Sequence, residues 1–157
     1  MTYSVSTTSS EATKQLAARL AHQLRGGEVI ELASDLGGGK TTFTQGLASG
    51  LGYEGEVASP TFTLSRVYRL KSKLELHHYD LYRLSEGGIV GDELVEDLSD
   101  PQIITVIEWA DIAQPDLPAD RLTVHFSIAG ENERQLEFQA GGPISAKLIA
   151  HLKESQS

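Results

Sequence analysis

The chain has 157 residues, 39% of them hydrophobic and 22% charged, with a formal net charge of −9. That length and composition describe one globular domain with a real core and exclude a disordered chain. The acidic balance argues against broad nonspecific nucleic-acid binding, so any RNA contact would be local or carried by a partner. The absence of cysteine excludes disulfides and thiolate metal sites. No apolar run approaches the ~20 residues of a membrane span, and the polar start Met1-Thr2-Tyr3-Ser4 carries no basic leader region. A cytoplasmic protein that does not enter a membrane is expected.

Taken in chain order, Ser9 or Ser10 is placed to cap a helix to about Arg25, with Leu16, Leu20 and Leu24 at helical spacing. Gly26-Gly27 ends it. A strand over 28–33, a glycine turn and a helix to about Gly50 follow. Gly46 and Gly50 are unfavourable inside a helix, which points to a close packing contact there. Segments 62–70 and 74–82 alternate around Lys71-Ser72-Lys73 and predict a hairpin. Residues 84–100 read as loop or short helix, and 103–108 as a buried strand. Segments 121–128 and 134–139 read as strands, and 143–154 as a final helix, with a short tail from about 152. The expected architecture is single-domain α/β, a mixed central sheet flanked by helices.

The stretch Ser34-Asp35-Leu36-Gly37-Gly38-Gly39-Lys40-Thr41-Thr42 joins a strand to a helix in the layout of a phosphate-binding loop. Consecutive backbone N–H groups in such a turn form an anion nest, which side chains would block and glycines leave open. Lys40 is the natural partner of β- and γ-phosphates, and the Thr41 hydroxyl of Mg²⁺. The helix adds its positive N-terminal end. The full pattern asks for glycine where Ser34 stands. A positive φ there would cost serine roughly 1 kcal/mol or more. Lys40 is expected to be accessible beside the loop.

A metal at this loop needs acids. Ile103-Ile104-Thr105-Val106-Ile107 is a buried-strand run ending in Glu108, at the sheet edge where α/β folds place ligands. A solvated strand-end acid is the competing reading. On spacing alone, Asp80 fits a metal role and a structural one equally. Ser59-Pro60-Thr61-Phe62 could form a phosphate-sensing switch with Thr61 or be an ordinary turn. Trp109 directly follows Glu108 and is a second switch candidate. His77 and His78 are adjacent in a strand and point to opposite faces, so they cannot share a metal, and core or surface roles are expected for them. Arg66, Arg69, Lys71 and Lys73 suggest a solvated hairpin tip rather than an RNA contact. The acids of 86–100 fit a solvated face or a docking segment.

The combination Ser34 to Thr42, then Ser59-Pro60-Thr61-Phe62, His78-Tyr79-Asp80-Leu81-Tyr82-Arg83-Leu84 and Ile107-Glu108-Trp109 resembles the TsaE family. These are small bacterial ATPases of the tRNA threonylcarbamoyladenosine pathway. The resemblance runs from residue 10 to about 128. The family usually has glycine at 34 and alanine at 38, and this chain departs at both. The resemblance implies a P-loop NTPase-like fold and an ATP hydrolase, weak alone, that supports TsaB and TsaD, with tRNA reached through that complex. It implies ATP on the loop Asp35, Leu36, Gly37, Gly38, Gly39, Lys40, Thr41 and Thr42. It also implies Mg²⁺ on Thr41 and Glu108, and Asp80 as a further essential acid. Its adenine pocket lies between the N-terminal segment and the C-terminal strands, where Thr8, Ser10 and Arg134 are candidates.

Other functions fit less well. A GTPase would need an Asn/Thr-Lys-x-Asp segment, and the chain has none. A small-molecule kinase shares the loop but usually adds an arginine-bearing lid, for which 84–100 leaves little room. A module that uses ATP to control docking, with turnover incidental, overlaps the TsaE reading.

Overall fold

A computed structural model describes residues 1–34, 39–57, 65–81, 88–109 and 117–155. Seven strands form one mixed sheet: β1 Thr2–Thr7, β2 Val29–Ala33, β3 Ser65–Arg69, β4 Glu75–Asp80, β5 Ile103–Glu108, β6 Leu122–Ile128 and β7 Arg134–Ala140. The helices are α1 Ser10–Ala21, α2 Lys40–Gly50, α3 Gly88–Leu98 and α4 Pro143–Glu154. The strand order is β1-β7-β6-β2-β5-β4-β3. Neighbours among β6, β2, β5 and β4 pair in parallel, while β3, β7 and β1 join antiparallel.

Period-two alternation divides the core into two layers. Ile30 and Leu32 of β2, Leu76 of β4, Ile104 and Val106 of β5 and Leu122 and Val124 of β6 face one side. There they pack with Leu16 and Leu20 of α1, Phe43 and Leu47 of α2, and Leu148 and Ile149 of α4. Val29, Tyr79 and Ile107 face the other side and pack with Leu94 of α3. His77 and His78 therefore serve opposite layers, as their adjacency requires.

The helix at 10–21 starts as expected, since the Ser9 hydroxyl accepts from the Ala12 N–H at 3.0 Å. It stops four residues short of Arg25. His22 is its C-cap, and the chain tightens through i→i+3 bonds from Gln23 and Leu24. β1 has no counterpart in the sequence reading. Its inward residues Tyr3, Val5 and Thr7 alternate with exposed hydroxyl-bearing ones, and a polar edge strand of this kind has little hydrophobic signal. The acidic stretch is helical over 88–98, with Asp97 turned inward. α4 spans Pro143–Glu154, the bounds expected for the final helix, with Leu152 only 2% exposed.

The expected close contact at Gly46 and Gly50 is with α1. A Cβ on Gly46 would lie 2.4 Å from the Lys14 carbonyl oxygen, and one on Gly50 would lie 2.7 Å from Ala18 Cα. The two helices approach backbone to backbone, and this places α2. At the other end of the fold, Gly142 has no side chain with which to cap α4. Asp120 caps it instead. Its carboxylate accepts from the Ile144 N–H at 2.8 Å, the Ser145 N–H at 3.0 Å and the Ser145 hydroxyl at 2.6 Å. Burial pushes this carboxyl up, but the bonds from Ser145 and Ile144 outweigh it and hold the group below its ordinary value of 3.8.

Two outcomes follow from this packing. Gly46→Ala should destabilise the fold by about 1–3 kcal/mol through overpacking against α1, although alanine favours an isolated helix by about 1 kcal/mol. Urea unfolding checks it, and an unchanged or raised midpoint would contradict the close approach. Asp120→Ala should cost about 1 kcal/mol at neutral pH. Because the folded-state value is depressed, the carboxylate's contribution is present above its unfolded value and lost as pH falls through the folded one. The stability difference between parent and variant should therefore shrink below pH 3.8, read from urea midpoints across pH.

Candidate functional site

The parallel strands deliver their C-terminal ends to one edge. Leu32 of β2 lies opposite Glu108 of β5, and Glu108 lies opposite Asp80 of β4. In parallel pairs such neighbours share a face, so the two acids stand side by side on the α1–α2 layer. Gly39, whose φ of 107° is the left-handed value that favours glycine, leads directly into α2. Asp35, Leu36, Gly37 and Gly38 lie outside the described residues, as does Thr61. Ser34 does not have a positive φ; Trp109 is the sole non-glycine residue that does among those described. The cost that a positive φ would impose on serine there therefore does not arise.

Lys40 is the main correction. It is only 7% exposed rather than accessible. Its Nζ lies 3.7 Å from Glu108 Oε1, 3.5 Å from the Ser34 carbonyl oxygen and 4.3 Å from the centre of the Trp109 ring. The first turn of α2 faces the strand ends, so the side chain folds across them. Carboxylate, carbonyl and ring face together replace the water that the ammonium has lost.

Glu108 is 3% exposed, which excludes the solvated strand-end acid. Its second oxygen, Oε2, accepts from His78 Nε2 at 2.5 Å. His78 is buried in keeping with the core role open to it, but its bond to Glu108 has no local signal because the partner is thirty positions away. One signal was available: His78 and Asp80 are two apart in a strand and so share a face. Thr41 and Thr42, in the first turn of α2, are half-buried.

On the opposite face a separate network ties α3 to β4. His77 Nδ1 lies 2.6 Å from Asp97 Oδ2 and Nε2 lies 2.9 Å from Glu75 Oε1, while the Tyr79 hydroxyl donates to the same Asp97 oxygen. Burial, then that bond, push the Tyr79 phenol far up. At the hairpin tip, Arg69 and Lys71 make exposed ion pairs with Glu75 and Glu54. Exposed pairs of this kind contribute little.

Ser10 and Arg134 come together around a cavity of about 50 Å³, shared with Ser9, Gly39, Thr42 and Asn132. Thr8 is exposed and does not line it. Arg134 Nη1 donates to the Gly130, Glu131 and Glu133 carbonyls and so closes the β6–β7 turn. Among the described residues no three His, Cys, Asp or Glu side chains gather in a metal-binding group, and no helix is long and apolar enough to cross a membrane.

A family model described as Threonylcarbamoyl adenosine biosynthesis protein TsaE matches residues 7–136. A tRNA threonylcarbamoyladenosine biosynthesis protein TsaE from Bacillus subtilis is 38% identical over 136 residues, 87% of this chain and 84% of that one. Its namesake in Streptomyces coelicolor is 41% identical over 117 residues, 74% and 79% of the two chains. The crystal structure of YdiB from Bacillus subtilis matches with a TM-score of 0.80 and 32% identity, covering 100% of this chain and 97% of that one. That likeness agrees with the P-loop-type α/β fold expected from the sequence.

Removing the buried ammonium leaves Glu108 with His78 as its remaining charged or polar partner among the contacts described. Lys40→Ala should therefore lower stability by about 1–3 kcal/mol while the chain still folds. Urea unfolding with circular dichroism tests this. A midpoint equal to the parent's would mean that the lysine stands in solvent.

Proposed function

Since the chain belongs to the TsaE family of threonylcarbamoyl adenosine biosynthesis proteins, we propose that it is a cytoplasmic P-loop ATPase. In this reading it supports TsaB and TsaD in forming threonylcarbamoyladenosine beside the anticodon of tRNA. The observation that carries the reading is the buried Lys40 facing Glu108 at the sheet's C-terminal edge, directly behind the left-handed Gly39 that opens α2. A cation, an acid and a helix N-terminus converge there, as recognition of a nucleotide phosphate chain requires.

Glu108, Asp80 and the Thr41 hydroxyl are hard oxygen donors and suit Mg²⁺. Mg²⁺ needs few protein oxygens, because it takes most of its ligands from phosphates and water. Bound there, Mg²⁺ would offset charge on the transferring phosphoryl group. Lys40 would turn from Glu108 to the phosphate oxygens as a point charge. Asp80 and Glu108, side by side, would hold the metal or its water. The Ser10–Arg134 cavity adjoins Gly39 and Thr42 and would take the nucleoside end. The tRNA would be met through TsaB and TsaD, in keeping with a net charge of −9.

Phosphate release from Mg·ATP, with and without TsaB and TsaD, tests the reading. Lys40→Ala should abolish turnover, and Glu108→Ala and Asp80→Ala should each lower it by roughly 100-fold or more. Turnover by Lys40→Ala equal to the parent's at saturating Mg·ATP would overturn it. Transfer of the γ-phosphoryl group to a metabolite instead of water would identify a kinase.

A further inference from the structure

Glu108 presents two oxygens to two different neighbours. Oε1 faces Lys40 and Oε2 accepts from His78 Nε2–H. His78 is 0% exposed, and its Nδ1 is buried with no hydrogen-bond partner among the described residues. A histidine that served only to fill the core would be expected to have both ring nitrogens satisfied or to be replaced by an apolar residue, because an unsatisfied buried nitrogen is costly. Among the described residues, the one side-chain hydrogen bond that His78 makes is to the acid at the strand end. Its position suits that bond. His78 lies opposite Val106 on β5, so Glu108 is the next residue on the same face toward the sheet edge, within diagonal reach.

We propose that His78 is a positioning residue for Glu108: it clamps Oε2 and thereby presents Oε1 to Lys40 and to an incoming metal–nucleotide complex. This rests on the reading of the site as a Mg·ATP site. A free carboxylate at the end of a strand can rotate about its last torsion, whereas one pinned through a single oxygen by a buried donor cannot do so without breaking that bond. The cost of the unpartnered Nδ1 is then offset by the order imposed on the acid. Outer partners of this kind typically change metal affinity or activity by roughly 10- to 100-fold when removed.

The test uses the whole chain and titration calorimetry with a non-hydrolysable ATP analogue, with Mg²⁺ and with EDTA. His78→Leu removes the donor, and His78→Gln keeps an N–H near the Nε2 position. In the parent, Mg²⁺ should tighten nucleotide binding. In His78→Leu that Mg²⁺-dependent gain should fall about tenfold or more, with metal-free affinity unchanged. His78→Gln should restore most of the gain. Thermal unfolding of each variant shows whether it is folded, and His78→Gln keeps the test decisive if His78→Leu is not. A Mg²⁺-dependent gain in His78→Leu equal to the parent's overturns the proposal. So does equal loss of metal-free and Mg²⁺-dependent binding in both variants, which marks a merely structural role. A parent that binds nucleotide no better with Mg²⁺ removes the metal reading itself, and this assignment with it.

Discussion

A carboxylate withdrawn from water is the constraint around which this end of the molecule is organised. Isolated, a buried Glu108 would carry a desolvation cost of several kcal/mol. It is retained because a buried histidine and a buried lysine meet it from two sides. Those two partners dictate topology. His78 can reach Glu108 only if β4 neighbours β5 in parallel, with both residues on the same face. Lys40 can reach it only if β2 lies on the other flank of β5 and α2 begins over the strand ends. The order β2-β5-β4 supplies both.

The position of Lys40 depends in turn on helix packing. α2 cannot slide or rotate far, because Gly46 and Gly50 bring its backbone against Lys14 and Ala18 of α1. α1 is held at its start by the Ser9 cap and by the bond between the Thr7 and Thr13 hydroxyls at 2.7 Å, which ties it to β1. The edge strand β1 and two glycines remote from the acids thus help to aim the lysine. The opposite layer has a polar anchor of its own, in which His77 and Tyr79 hold Asp97 of α3. Adjacent histidines do different work because a strand presents neighbours to opposite faces.

What could be read from the sequence was what local pattern encodes. The buried runs of β2 and β5, the hairpin of β3 and β4, the final helix and the glycine-led start of α2 all carry their signal within a few residues. The meaning of Gly46 and Gly50 was also legible, since glycine inside a helix needs a reason. β1 carries little local signal because five of its six residues bear hydroxyls and its partner β7 is more than a hundred residues away. The burial of Lys40 could not be read locally, because the groups that make it tolerable sit at positions 108 and 109. His78 was hidden for the same reason. The strand ends were legible one by one, and their mutual neutralisation was not.

Trp109 shows how the two layers are joined at this edge. Its φ of 59° is a left-handed value that bulky side chains rarely adopt, and holding it costs roughly 1–3 kcal/mol. The gain is geometric. The ladder continues as far as the Glu108 carbonyl, which accepts from the Leu81 N–H at 3.1 Å. A residue turned sharply just after it ends β5 with Glu108 still inside. The Trp109 ring packs against the Tyr79–Ile107–Leu94 cluster on the α3 side, while the Lys40 ammonium lies over it from the α2 side. The strained residue thus has packing from both layers, and the lysine is part of it. Moving Lys40 away would therefore also remove one of the contacts that hold the Trp109 ring.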